Sequence, residues 1–328
     1  MTLYRRFVVF LGVLIVSLGP VTVYADKQQS EDETNFDQSR FSEKISGRDK
    51  AYGAYQRGMY LTAFNLALPR AQEGDAAAQT LIAELYEQGL GIKRDTGKAA
   101  EWYEIAANSG NREAKFALAV KLLAGKDLTP DKERGFDLMK QAAEAGHPLA
   151  MYNHANHIIS RRPTGAGYRQ ALPFLEKAAE YRNGDAYYAL SQIYREGLTD
   201  GIQRPDVARE WLIRAAKAGV DTAQIDLALD LVSGRDGPKD EKKAYDWFSL
   251  AAGRGNVIAQ NRLAHMLARG LGVEADPLEA AKWHIIAQRA GRRDLELDLF
   301  FKSLEPDMRK KAIELANRWP TTIGSLQR

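Results

Sequence analysis

The residues best suited to chemistry stand between positions 147 and 167. His154 and His157 are three apart, so a helix through them would carry both on one face, where a divalent cation could bridge them. A metal site wants a third ligand. The nearest histidine, His147, falls in the turn before that helix, out of reach of the pair. His154 therefore has two open readings, a metal ligand or a hydrogen-bonded histidine in a seam between helices. His265 and His284 lie far down the chain and add nothing to this group. Gly89-Leu90-Gly91 and Gly270-Leu271-Gly272 look like fragments of phosphate-binding loops. No strand precedes either, and neither GxGxxG nor GK[ST] follows, so a turn explains them better. Asp240-Glu241 is an acid pair, but it opens a helical stretch, where acids complement the helix dipole rather than work on a glycosidic bond. The chain has no cysteine, which removes thiol chemistry, disulfides and thiolate metal sites together.

The elements that must position these residues repeat. Gly74, Gly110, Gly146, Arg182, Gly219, Gly255 and Gly291 follow one another at intervals of 36 or 37 residues. Trp102, Leu138, Phe174, Trp211, Trp247 and Trp283 keep the same step, as do Ala83, Ala119, Ala155, Ser191, Ala228 and Ala264. A period of this size, held in several columns over six copies, means a stacked array. Inside the first copy, Ala78, Leu81, Ile82, Leu85 and Tyr86 predict one helix, broken at Gly89-Leu90-Gly91. Ala99, Trp102, Tyr103, Ala106 and Ala107 predict a second, stopped by Gly110. The small column lets the two helices of a hairpin approach closely. The Trp102 column is expected to wedge the space between successive hairpins, and the closing glycine to supply a positive φ. No such hairpin buries both faces alone, so neighbours must stack.

The pattern Ala78, Leu81, Tyr86, Gly89-Leu90-Gly91-Ile92, Asp95, Lys98-Ala99, Trp102-Tyr103, Ala106-Ala107, Gly110 resembles the Sel1-like repeat, a relative of the tetratricopeptide repeat with a longer inter-helix loop. The last copy, 257–292, repeats it with Gly270-Leu271-Gly272-Val273, Asp276, Ala280-Ala281, Trp283 and Ala287. The resemblance covers residues 48–292 and implies an all-α, right-handed α-solenoid of helix hairpins. It also implies that the first helix of each pair lines a concave face that binds other proteins, and that some members are exported bacterial proteins. Some exported relatives carry a disulfide in each repeat, which this cysteine-free chain cannot.

The ends differ from the middle. Arg5-Arg6, an apolar run from Phe7 to Leu18, and Val23-Tyr24-Ala25 predict a secretory signal over 1–25, cleaved after Ala25; the apolar run is short for a membrane anchor, which wants about 20 residues. Residues 26–47 are polar and acid-leaning, a flexible lead-in. Residues 48–74 form a partial first hairpin with Tyr52, Tyr55, Tyr60, Phe64 and Leu68, before about six repeats over 75–292. Residues 293–328 read as capping helices and a tail, with Pro320 as a stop. Trp319 lies 36 after Trp283, but its surroundings do not match the repeat. Removing residues 1–25 takes away two arginines and no acid, leaving 44 basic and 43 acidic residues. A balanced chain makes no electrostatic case for nucleic acid.

Function follows from these elements. The expected protein is a periplasmic or secreted scaffold or regulator, without enzymatic activity or cofactor, which binds a protein partner of the envelope and does not stay inserted in the membrane. The third copy departs from the repeat at His154, where other copies carry Ile82, Leu118, Leu190, Leu227 and Leu263, and at Arg161-Arg162-Pro163-Thr164-Gly165-Ala166-Gly167, where the Gly-x-Gly loop should stand. Departures of this kind concentrate at functional sites. Asn153, Asn156 and His157 are the expected groove contacts, with Arg161 and Arg162 at the rim, where forked donors suit acidic partner residues. The alternative is an envelope hydrolase or metal-binding protein that uses the third copy.

Overall fold

The computed structural model describes residues 49–125 and 127–319. The predicted signal and lead-in, and the tail after Trp319, lie outside these residues. The described residues form sixteen α-helices and no strand, in two units that meet in sequence at Arg161 and Arg162. In the first unit the helices are α1 (Lys50–Gln56), α2 (Tyr60–Gln72), α3 (Ala76–Gln88), α4 (Thr96–Asn108), α5 (Arg112–Ala124), α6 (Lys132–Glu144) and α7 (Pro148–Arg161). In the second they are α8 (Gly165–Glu180), α9 (Gly184–Glu196), α10 (Pro205–Lys217), α11 (Asp221–Ser233), α12 (Glu241–Gly253), α13 (Val257–Arg269), α14 (Pro277–Arg289), α15 (Leu295–Ser303) and α16 (Pro306–Arg318).

The sequence starts these helices at the same place in most copies, although Thr164, Arg204 and Val220 make no side-chain cap. Asp75, Asn111, Asn183 and Asn256 each accept a backbone N–H at the start of a first helix, and Asp95, Asp131, Asp240 and Asp276 do so for second helices. These side chains satisfy donors that the first turn of a helix leaves open. The chain turns out of the second helices with φ near +90° at the closing glycines, and with +59° at Arg182, the one copy without glycine there.

The core is built from alanines where helices cross, from leucines and isoleucines of the first helices such as Ile82, Leu118 and Leu190, and from a large residue of each second helix. Ala83, Ala119, Ala155, Ser191, Ala228 and Ala264 are fully buried, which is the expected close approach. The wedge, however, sits one residue later than expected. Tyr103, Met139, Leu175, Leu212, Phe248 and His284 are all deeply buried; of the expected column Leu138 and Trp283 are buried too, while Trp102, Phe174, Trp211 and Trp247 are only half-buried. One residue is a 100° turn of a helix, which moves a side chain from the core to its margin. At that margin Trp211 stacks on Tyr187, and the Arg214 guanidinium lies 4.6 Å from the centre of its ring. Trp283 meets Trp319 edge to face at 4.7 Å, so the 36-residue spacing of those two is a real packing relation.

The Gly-x-Gly loops are turns that dock on a neighbouring helix. A Cβ on Gly91 would lie 2.6 Å from the Leu61 nitrogen at the start of α2, and one on Gly272 would lie 2.2 Å from the Glu241 oxygen at the start of α12. Backbone packs on backbone there, with no cradle for a phosphate. In the third copy the boundary between units falls between its two helices, α7 and α8. Pro163 disfavours helical backbone at Arg162 and ends α7. Gly165 to Gly167, read above as loop, instead form the first turn of α8, where a Cβ on Gly167 would overlap the Arg162 carbonyl.

Candidate functional site

Helix α7 carries most of the expected contact residues. Asn153, Asn156, His157 and Arg161 are spaced three, four and eight residues along it and share one face. The first three are half-buried and Arg161 is exposed. Arg162 is also exposed and opens the second unit. The structure thus gathers four of the five on one helix of the first unit.

His157 is partly taken up by packing. Its ring lies flat on Phe136 of α6, with centroids 3.6 Å apart and planes 18° apart. Burial, then the nearby Arg161 cation, lowers its pKa, so the stacked imidazole is neutral at pH 7. His154 is buried in the core column, and burial, then His157, lowers its pKa too. His147 stacks on Phe116 at 4.2 Å, and its Nδ1 accepts the Ala150 N–H, taking the capping role that Asn111 or Asn183 plays elsewhere. Burial drives its pKa down to about 4, which keeps that nitrogen an acceptor. Among the described residues, no group of three metal-ligating side chains gathers here or elsewhere.

Charged side chains that the sequence reading passed over bind first helix to first helix within each unit. In the first, Glu87 of α3 accepts from Lys121 of α5 and from the Tyr103 hydroxyl at 2.9 Å. In the second, Tyr188 of α9 donates to Asp226 of α11 at 2.8 Å, and Arg195 of α9 reaches Asp230 of α11 and Asp236 in the loop that follows. Glu87–Lys121 and Arg195–Asp230 occupy equivalent positions of the repeat with the charges exchanged. The remaining two histidines hold α15: His265 bonds Asp294 at 2.8 Å and His284 bonds Asp298 at 2.9 Å. The charged network ties helices together rather than assembling a nucleophile beside a base. Its signal in the sequence is a charged residue, Lys121 or Asp230, in a column held by Leu85, Ile193 and Met266 in three other copies and by His157 in the third.

Two-helix units of 36 or 37 residues, capped and stacked alike, define the class: an all-α repeat solenoid. A protein-family model described as the Sel1 repeat matches residues 76–111, 112–147, 184–220, 222–256 and 257–291, more than half of the chain. The chain belongs to the Sel1 repeat family. Among solved structures it is similar to a Sel1 repeat protein from Oxalobacter formigenes, at 26% identity and a TM-score of 0.62, covering 74% of this chain and 97% of that one. Among curated proteins it is similar to Chitin synthase regulatory factor 3 of Schizosaccharomyces pombe, 28% identical over 64% of this chain and 28% of that protein. It is also similar to Chitin synthase regulator SKT5 of Saccharomyces cerevisiae, 29% identical over 67% and 33%. The chain therefore spans about a third or less of the length of these fungal relatives.

Proposed function

We propose that the protein is a non-enzymatic scaffold that regulates a partner protein by binding it along the face of its first helices. One observation carries this reading: five Sel1 repeats, a fold of stacked hairpins, in which the side chains able to do chemistry act as caps, ring stacks and ion pairs. Two fungal relatives named as chitin synthase regulators support the regulatory part. The finer reading is that the chain is exported, with cleavage after Ala25, and that the partner is an envelope protein that meets Asn153, Asn156 and His157, with Arg161 and Arg162 engaging its acidic residues. No helix among the described residues is long and apolar enough to cross a membrane.

The test is capture from an envelope extract, then identification, purification and titration of the captured protein. Asn156→Ala/His157→Ala and Arg161→Glu/Arg162→Glu, each confirmed folded by circular dichroism, are expected to weaken that titration about tenfold or more. Lys217→Glu, exposed at the end of the second helix α10, should leave it unchanged. Wild-type affinity in both double variants overturns the assignment of these residues. N-terminal sequencing that recovers Met1 on membrane-bound protein overturns cleavage.

A further inference from the structure

Helix α15 turns two leucines away from the core. Leu297 is buried, and Phe300, Phe301 and Leu304 pack on the core of the second unit. Leu295 and Leu299 point the other way and are 74% and 58% exposed; Leu295 is the most exposed large apolar side chain among the described residues. They stand four apart, so they share a face with Lys302, three residues further on and also exposed. Arg292 and Arg293, both exposed, lead into the helix. The acids of this segment are held from within the unit. Asp294, which caps α15, accepts from Asn261 at 3.0 Å and bonds His265 at 2.8 Å, both of α13. Glu296 pairs with Arg269 of α13, and Asp298 bonds His284 at 2.9 Å and Gln288 at 3.1 Å, both of α14. From Arg289 to Lys311 the sequence carries seven lysines and arginines against five acids; three of the five are these, and the other two, Glu305 and Asp307, follow the helix.

We propose that this face of α15 is a contact for an anionic lipid surface, on which the chain lies without crossing it. Leu295 and Leu299 enter the headgroup boundary, and Arg292, Arg293 and Lys302 meet the lipid phosphates. This goes beyond the scaffold reading and does not rest on it. The occupant is chosen by charge complementarity together with the size of the apolar patch. An exposed leucine gains by leaving water for the headgroup boundary, and each lysine or arginine close to an anionic surface adds about fivefold to binding. Either signal alone binds weakly; the two together hold a chain reversibly on a bilayer. Two leucines are too few for a stable protein interface, which takes about 800 Å² from each partner. A lipid surface asks for no such area.

The experiment is co-sedimentation of the chain from Asp26 onward with two kinds of vesicle, phosphatidylcholine alone and phosphatidylcholine with about one third phosphatidylglycerol. The expected result is binding to the mixed vesicles, about tenfold or more weaker on phosphatidylcholine alone and lost as salt screens the charges. Leu295→Ser/Leu299→Ser and Arg292→Gln/Arg293→Gln should each weaken binding about tenfold or more. Ile258→Ser, at an exposed apolar residue of α13, and Lys217→Gln on α10 should change it less than about twofold. All of these side chains are exposed, so the variants keep the fold, which circular dichroism checks. No binding to the mixed vesicles, equal binding to both kinds, or either α15 variant within twofold of wild type overturns the proposal. A dimer in solution that Leu295→Ser/Leu299→Ser dissolves also overturns it, by giving the face to a second copy of the chain.

Discussion

Replacing Arg195 by methionine tests the reasoning most directly, because the structure leaves that side chain no substitute. Its side chain is 7% exposed and lies between Asp230, 1% exposed, and Asp236, 8% exposed. Arg195 Nε donates to Asp236 at 2.6 Å, and its other nitrogen pairs with Asp230. Arg235 also reaches Asp230, through Nε at 3.0 Å, but comes from the surface. Burial still wins at Asp230, whose pKa is raised even with both guanidinium groups present. Removing Arg195 strands Asp236 and leaves Asp230 half-compensated. Breaking a buried pair from one side costs about 3–5 kcal/mol, and that is the loss expected at pH 8.

The sign with pH follows from the same raised pKa. A carboxylate harder to ionise when folded than when unfolded loses stability as pH rises from its unfolded value to its folded one. The variant carries a larger rise than wild type, so its deficit should be smaller at pH 5 than at pH 8. Urea unfolding read by tryptophan fluorescence, with hydrogen exchange of α9 and α11 as the local measure, checks both statements. Arg195→Met/Asp230→Met/Asp236→Asn, which removes the charges together, should recover to within about 1 kcal/mol of wild type. A single-variant loss below about 1 kcal/mol, or a deficit independent of pH, refutes the account. A triple variant as unstable as the single one assigns the loss to packing instead.

Phe248→Ala should cost about 3–5 kcal/mol, the range for a fully buried aromatic, and more than Trp247→Ala at the half-buried margin; denaturant melts that reverse the order refute the placement of the wedge. Glu84→Gln should stabilise the chain by on the order of 1–3 kcal/mol above pH 7, since the wild-type acid, with its pKa raised to about 7, loses stability between its unfolded value near 4.5 and that point; the gain should vanish below about pH 4.5, as melts across that range would show. Arg182→Gly should raise stability by about 1 kcal/mol, because Arg182 holds φ +59° at a turn where every other copy has glycine; an unchanged melting temperature would mean that side-chain contacts offset the strain.

What could be read from the sequence was whatever recurs. The closing glycines and the small column each answer a demand that nearly every copy makes, so the copies repeat the same signal and hairpins follow. The wedge column misled because two large residues stand side by side in most copies. Trp247 and Phe248 are equally apolar, and only the rotation of the helix decides which faces the core. The third copy shows the other limit. His147 as a cap and His157 on Phe136 are packing solutions of a single copy, with no column to reveal them, and the spacing of His157 from His154 made that pair look like ligands. The first-helix ion pairs lay between these cases. Glu87 with Lys121, 34 residues on, and Arg195 with Asp230, 35 residues on, stand at the same two positions with opposite sign. Treated as columns of residue type they look unrelated; treated as columns of charge product they are one feature. Charge exchange across an equivalent pair keeps the attraction while changing both residues, so in repeat arrays the pair is the unit to align.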